Sequence, residues 1–256
     1  MILTLAALTL TVQTVKPKLL VVEGLIIAHQ VSGRWKTIPE AYQPPFKRMA
    51  FKEVRVGSLG PTTMCRDAGY EEVTGGSYVV FPSPEESSVQ TPGPAGGAMV
   101  SNLKPTFPRP VRTFSAASAT YQRIADDFNR SKGLKVKAKV NRVISCDLDG
   151  DGGAEVIIEG GNCKGRYDNP PGKLRYSWIL LRYISGGQVR QRTLEFNKTT
   201  DEVGVAFYAL QAVADLDGDR RMEIVTSGEY WESNDGVLYD FNRGRLTVLA
   251  RKGAGV

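Results

Sequence analysis

Histidine and cysteine, the side chains that most often bind zinc, are scarce in this sequence. One histidine, His29, occurs in 256 residues, so a zinc site made of several histidines is excluded, and a Ser-His-Asp triad would have to use His29. His29 lies in an apolar stretch, where we expect a structural role. No convincing catalytic constellation remains, and we therefore expect a protein that is not an enzyme.

The three cysteines make an odd number and include no Cys-x-x-Cys pair. Cys146 lies in an apolar stretch typical of a strand, which favours a buried thiol. If the protein is exported to an oxidising compartment, Cys65 and Cys163 are the pair in which we would look for a disulfide bond.

Long apolar runs are also few. Residues 1–12 form an uncharged apolar run of twelve residues, which is too short to cross a bilayer as a helix. It is similar to the apolar region of a secretory signal, although a basic start and a clean cleavage site are missing. We expect a signal segment within residues 1–18 and a secreted or cell-envelope protein, with a first buried strand as the alternative. No other segment predicts a transmembrane helix.

The formal net charge is +6, and basic residues are concentrated between Arg130 and Arg142. Lys135, Lys137 and Lys139 alternate with other residues, which predicts one solvated face of a strand. Because no nucleic-acid recognition module accompanies them, we expect no nucleic-acid partner.

Changes in composition predict the domain organisation. Residues 19–81 read as a small β domain, with a first strand from Leu19 to Gln30 and a hairpin turn at Ser32-Gly33. Residues 82–112 are rich in Pro, Gly and Ser and predict a linker that neither pairs in a sheet nor forms a helix. Residues 113–256 begin with the clearest helix, from Ser118 to Lys132, which Gly133 would end.

An acidic loop occurs twice in the C-terminal part, with carboxylates at positions 1, 3, 5 and 9. Like charges in so tight a loop repel one another unless a hard cation lies between them, and calcium is the cation that prefers such oxygen ligands. The two loops are Asp147-Leu-Asp149-Gly-Asp151-Gly-Gly-Ala-Glu155 and Asp215-Leu-Asp217-Gly-Asp219-Arg-Arg-Met-Glu223.

The loops mark a repeat, because Asp215 follows Asp147 by 68 residues and apolar strands flank both loops. With a later hairpin in each copy, residues 136–203 and 204–256 each predict about four strands, the number in one propeller blade. We therefore expect a mainly β fold with one helix: a small N-terminal β domain, and a C-terminal, propeller-blade-like domain of two repeats. A closed propeller needs more blades, so we expect an open assembly.

An EF-hand would require a bidentate Glu at position 12, where this chain has Ile158 and Thr226. The loops instead resemble those of the FG-GAP (integrin-α-like, VCBS-type) repeat family, over residues 136–256 only. The resemblance implies blade-like β sheets, calcium binding and an extracellular location. It also implies the metal ligands: Asp147, Asp149, Asp151, the Gly153 carbonyl and Glu155 in the first loop, and Asp215, Asp217, Asp219, the Arg221 carbonyl and Glu223 in the second.

The second loop departs from the family pattern at Arg220, where the family has glycine. If that position needs a positive φ, arginine there costs roughly 1 kcal/mol, and its charge lies close to the ion. We therefore expect the first loop to bind calcium more tightly.

These patterns predict a calcium-binding protein with a structural or interaction role, in which ions clamp strand-loop-strand junctions. The alternative is a hydrolytic enzyme or accessory subunit whose acidic loops only support an N-terminal active site. Tyr230, Trp231 and Tyr239 would suit a protein or carbohydrate ligand, unless they pack into the sheet.

Overall fold

A computed structural model of the chain describes residues 16–82, 97–163, 173–199 and 206–255. Within these ranges the fold is mainly β with a single helix, as predicted. Almost all of the predicted signal segment and residues 83–96 of the predicted linker lie outside the described residues. No helix in the described ranges has the length and apolar character needed to cross a membrane.

The first sheet contains eight strands in the spatial order β5-β4-β8-β1-β2-β7-β6, with β3 also paired to β2. The strands are β1 Leu19–Val22, β2 Leu25–Val31, β3 Arg34–Thr37, β4 Ala50–Arg55, β5 Ser58–Met64, β6 Asp67–Glu71, β7 Gly76–Val80 and β8 Ala98–Ser101.

The predicted strand from Leu19 to Gln30 is two strands in the structure. Glu23 and Gly24 take φ angles of 49° and 79° and turn the chain back, so that β1 and β2 pair antiparallel. The hairpin at Ser32-Gly33 is confirmed, because φ angles of 50° and 77° give a turn of the type that joins β2 to β3.

The prediction that residues 82–112 cannot pair in a sheet is wrong for β8. Its four residues are buried, and it pairs with both β1 and β4 near the middle of the first sheet. The average composition of the segment hides this short Ala-Met-Val-Ser run, which contains the apolar side chains that a buried strand needs.

The second sheet carries the first repeat and the helix. Its spatial order is β13-β12-β11-β10-β9. The elements are β9 Arg112–Phe114, α1 Ala119–Ser131, β10 Val140–Cys146, β11 Glu155–Gly161, β12 Tyr176–Ser185 and β13 Gln188–Lys198. The predicted helix is confirmed, with Ser118 at its N-cap and Gly133 at a φ of 73° after its end. Phe128 packs edge-on against Trp178 of this sheet at 5.2 Å between ring centroids.

Residues 135–139 connect α1 to β10 and form no strand, contrary to the prediction from the alternating lysines. The Asp126 carboxylate accepts a hydrogen bond of 2.7 Å from the Ala138 N–H. The Tyr176 hydroxyl accepts one of 3.0 Å from the Lys139 N–H, so side chains hold this segment in place of a regular strand ladder. All three lysines are exposed, as predicted.

The third sheet is an antiparallel meander with β14 Phe207–Ala214, β15 Glu223–Glu229, β16 Ser233–Asn242 and β17 Arg245–Gly255 in sequential order. Four strands in this sheet and four from β10 to β13 match the predicted number in each repeat. Assignment of these sheets to propeller blades stays a prediction.

The third sheet lies between the other two, because its strands bury side chains on both faces. Val213 and Ile224 pack with Ile157 of the second sheet, whereas Ala212 and Leu238 belong to a cluster that also contains residues of the first sheet. The predicted N-terminal β domain therefore shares its core with the second repeat.

Cys65 and Cys163, the pair to test for a disulfide if the protein is exported, form no disulfide bond in the structure. Cys65 lies in an apolar cluster of the first sheet, and the Cys163 thiol donates to the Tyr176 carbonyl at 3.4 Å. Cys146 is buried in β10, as predicted.

Candidate metal centres

The two acidic loops occupy equivalent places in the two meanders. Asp147 follows the last residue of β10, and Glu155 is the first residue of β11. Asp215 and Glu223 have the same relation to β14 and β15. In both sheets the flanking residues are register partners, Cys146 with Glu155 and Ala214 with Glu223. Strand pairing therefore brings the first and the ninth position of each loop together.

Three carboxylates converge in each loop. One oxygen each from Asp147, Asp149 and Glu155 lies within 4.8 Å of the others. Asp215, Asp217 and Glu223 form the same triad in the second loop. Carboxylates this close repel one another strongly unless a proton or a cation intervenes, so both triads could hold a metal ion.

The remaining predicted ligands do not join the triads. The Asp151 carboxylate accepts the N–H of Gly153 at 2.7 Å, and that of Asp219 accepts the N–H of Arg221 at 2.8 Å. Metal ligation by these aspartates, and by the carbonyl oxygens of Gly153 and Arg221, stays a prediction.

Backbone N–H groups hold the first triad in place. Asp147 accepts hydrogen bonds from Gly150 at 2.7 Å and from Gly152 at 3.1 Å, one on each carboxylate oxygen. Glu155 accepts the N–H of Leu148 at 2.8 Å across the loop. These bonds hold the Asp147 and Glu155 carboxylates in position without an ion, so the loop backbone determines how the triad is arranged.

The second loop repeats this arrangement atom for atom. Asp215 accepts the N–H groups of Gly218 at 2.6 Å and Arg220 at 3.1 Å, and Glu223 accepts that of Leu216 at 2.7 Å. At the sixth position, Gly152 has a φ of 91° and Arg220 a φ of 72°. Arg220 therefore occupies a position of positive φ, which is the condition under which an arginine there costs strain.

Burial makes the ninth carboxylate of each loop costly to ionise. Burial, together with Asp149 and Asp151, raises the pKa of Glu155 to about 7. Burial beside Asp217 raises the pKa of Glu223 well above its ordinary value. In the second loop the pKa of Asp217 is also raised, mainly by burial. A cation that replaced the protons would remove this penalty.

Arg109, which lies in the predicted linker, connects the two loops. Its guanidinium donates to the carbonyl oxygens of Asp147, Leu148 and Arg220, the last two at 2.8 and 2.6 Å. The loops also touch directly, since the Met222 N–H donates to the Leu148 carbonyl at 2.8 Å. The sequence contains no local signal for this role, because the partners lie 38 to 111 residues away.

Two further contacts come from outside the loops. Thr106 exchanges two backbone hydrogen bonds of 2.9 Å with Asp215 and donates its hydroxyl to the Asp215 carboxylate at 3.1 Å. The Arg243 N–H, in the β16–β17 turn, donates to the Asp149 carboxylate at 2.5 Å. Neither Thr106 nor Arg243 was predicted from the sequence. The Arg243 contact links the second repeat to the first through the side chain of Asp149.

The aromatic residues suggested for ligand binding have separate environments. Tyr239 is buried, and its hydroxyl donates to a Glu195 carboxylate oxygen at 2.5 Å. Tyr230 and Tyr208 share a hydroxyl contact of 3.1 Å. Trp231 is 63% exposed, so the three predicted residues do not form one continuous surface.

Comparisons with protein-family models, with curated proteins and with solved structures gave no significant match to this chain. The resemblance to FG-GAP repeats therefore depends on the loop residues and their strand context.

Proposed function

We propose that the chain binds calcium through the two acidic loops and has a structural or interaction role outside the cytoplasm. The observation that carries this proposal is the duplicated triad, which has the same backbone hydrogen bonds in both copies. Surface aspartates brought together by chance would not repeat an arrangement over two sheets.

The chemistry of the donors favours calcium. Each triad offers carboxylate oxygens and neither imidazole nor thiolate, which is the set that hard divalent cations prefer. Magnesium demands a stricter octahedron and keeps more of its water, so a loop with several carboxylates suits calcium better. The resemblance to FG-GAP repeats supports the same ion.

The ions would act mechanically. Each would join the end of one strand to the start of the next, at β10–β11 and at β14–β15, and offset the repulsion among the carboxylates. For a dissociation constant of ~0.1 mM, calcium at ~1 mM would add roughly 1.4 kcal/mol per site to the free energy of unfolding. In a protein of this size that corresponds to a melting temperature higher by about 3–6 °C.

Thermal melts in calcium, magnesium and EDTA test the proposal, together with equilibrium dialysis to count bound calcium. We expect calcium to raise the melting temperature more than magnesium at equal ionic strength. An unchanged melting temperature in all three buffers, with no calcium retained, would show that the loops bind no ion. Hydrolytic activity that survives removal of both triads would favour the enzyme alternative.

A further inference from the structure

A cavity of about 440 Å³ lies between the two acidic loops and is lined mainly by arginines. Four of its lining residues are arginines (Arg109, Arg220, Arg221 and Arg243), and two are aspartates (Asp149 and Asp219). Because the arginines outnumber the aspartates in the lining, the cavity favours an anion.

The two carboxylates are already engaged by the protein. Asp149 accepts the Arg243 N–H, and Asp219 forms an ion pair with Arg221. Arg109 is committed to three carbonyl oxygens. No described residue forms an ion pair or a side-chain hydrogen bond with the guanidinium of Arg220 or of Arg243. These two side chains are exposed and available to a ligand.

The backbone at Arg220 supports a role for its side chain. Six described residues other than glycine have a positive φ, and two of them, Arg220 at 72° and Arg243 at 49°, line this one cavity. The loop itself does not require arginine, since Gly152 holds the equivalent position in the first copy. Arg243 takes its positive φ in the two-residue turn between β16 and β17, as Ser32 does between β2 and β3, so the backbone argument for a functional side chain depends on Arg220.

The charge around the cavity depends on the metal sites. The lining alone has a net charge of +2, from four arginines and two aspartates. The two triads contain six carboxylates, one of which is Asp149 of the lining, and two bound calcium ions would offset four of these six negative charges, which repel an anion. We propose that the calcium-loaded protein binds a tetrahedral oxyanion in this cavity, either a phosphate monoester or a sulfate group, with Arg220 and Arg243 as its main ligands. This inference rests on the proposed calcium binding, and the cavity is large enough for a sugar-sized group that carries the anion.

Calorimetric titration tests the proposal with two probes, glucose 6-phosphate and inorganic sulfate, against glucose and sodium chloride at equal ionic strength. In calcium we expect at least one oxyanion to bind, and the stronger probe identifies the source. The double variant Arg220→Gly, Arg243→Asn should bind at least about tenfold more weakly, which equals about 1.4 kcal/mol. Both replacements suit a positive φ and keep the backbone hydrogen bonds, so the fold is retained. The double variant Arg112→Gln, Arg123→Gln, at exposed arginines of β9 and α1, removes the same charge and should bind like the parent.

Melting temperatures of the same samples separate the two proposals. If calcium stabilises the parent but neither oxyanion binds above the sodium chloride control, the oxyanion site is wrong and calcium binding stands. Equal affinities of the parent and the double variant would also refute it. If calcium has no effect on stability, calcium binding is refuted, and titration in EDTA tests the cavity alone: arginine-dependent binding supports an oxyanion site that does not need calcium, and no binding refutes the site.

Discussion

The two acidic loops have the same internal hydrogen bonds and different surroundings. In the first loop Asp147 is half-buried and the sixth position is glycine, whereas in the second Asp215 is buried and the sixth position is Arg220. The local backbone thus determines where the carboxylates lie, and the neighbouring sheets determine how much ionising them costs. Equivalent geometry need not give equal affinity.

The largest effect is expected from Arg109, whose guanidinium donates hydrogen bonds to both loops. Arg109→Ala removes the guanidinium that holds carbonyl groups of both loops, so the free energy of unfolding in EDTA should fall by about 2–3 kcal/mol. Chemical denaturation measures this change. Arg109→Lys keeps the charge but not the forked donor and should recover only part of the loss. Arg112→Ala, at an exposed arginine of β9, is the matched control. A similar small loss from both alanine variants would mean that Arg109 does not connect the loops.

The next effect distinguishes the loops from each other. Asp149→Ala and Asp217→Ala each remove one triad ligand, and the readout is the rise in melting temperature that calcium causes. We expect Asp149→Ala to abolish most of this response, because the first loop has no cation in its own sequence and its Asp147 is less buried than Asp215 of the second loop. Complete loss of calcium binding at one site would remove roughly 1.4 kcal/mol of the free energy of unfolding at ~1 mM calcium.

Asp127→Ala, at an exposed aspartate of α1, should leave the calcium response unchanged. A greater loss from Asp217→Ala than from Asp149→Ala would reverse the order of the two sites.

Local patterns predicted the parts of the fold that depend on neighbours in the chain. The helix and the Ser32-Gly33 hairpin follow from apolar spacing and turn residues, and the strands around each acidic loop follow from the repeat. β8 was missed because its three apolar residues lie in a Pro-rich segment, whose average composition is not that of a strand. The stacking of three sheets was also not predicted, because an apolar strand pattern indicates a buried face but does not identify the sheet that packs against it.

In the candidate site, too, the local features could be predicted and the contacts from distant segments could not. The triads were predicted from spacing within nine residues, and the structure brings three of the four carboxylates together in each loop. Arg109 and Thr106 could not be predicted, because each reaches its loop from a segment distant in sequence. The linker that composition suggested contains these two contacts, so the chain between the predicted domains helps to build the site.

A reciprocal exchange at the sixth position tests the origin of the difference between the loops. Arg220→Gly relieves the strain and removes a charge near the second ion, so calcium affinity there should rise by about fivefold, or roughly 1 kcal/mol. Gly152→Arg should weaken the first loop by a similar amount, because no atom obstructs a Cβ at this position and only strain and charge are added. Calcium titration of both variants measures the changes. If neither exchange alters affinity, the sixth position does not set the order of the loops.

The smallest effect concerns protons in the calcium-free protein. The pKa of Glu155 is about 7 in the folded state, above its ordinary value of 4.5, because burial and nearby aspartates oppose its ionisation. A raised folded-state pKa means that the stability linked to this group is fully present below about pH 4.5 and is lost as pH rises through about 7. In EDTA, Glu155→Gln should therefore stabilise the protein relative to the parent at pH 8 more than at pH 5, since glutamine keeps an acceptor for the Leu148 N–H.

Using the difference between parent and variant removes the contribution of other titrating groups, such as His29, whose pKa is lowered by burial and by Lys36. Because calcium takes the deprotonated carboxylate, the same shift requires that calcium affinity in the parent increase between pH 6 and pH 8. Glu155→Gln should reduce this increase of calcium affinity with pH. The matched Glu223→Gln variant should leave unchanged the increase that comes from the first loop. A difference between parent and Glu155→Gln that stays constant from pH 5 to pH 8 would show that Glu155 ionises normally, and protonation could then not explain why the two loops differ.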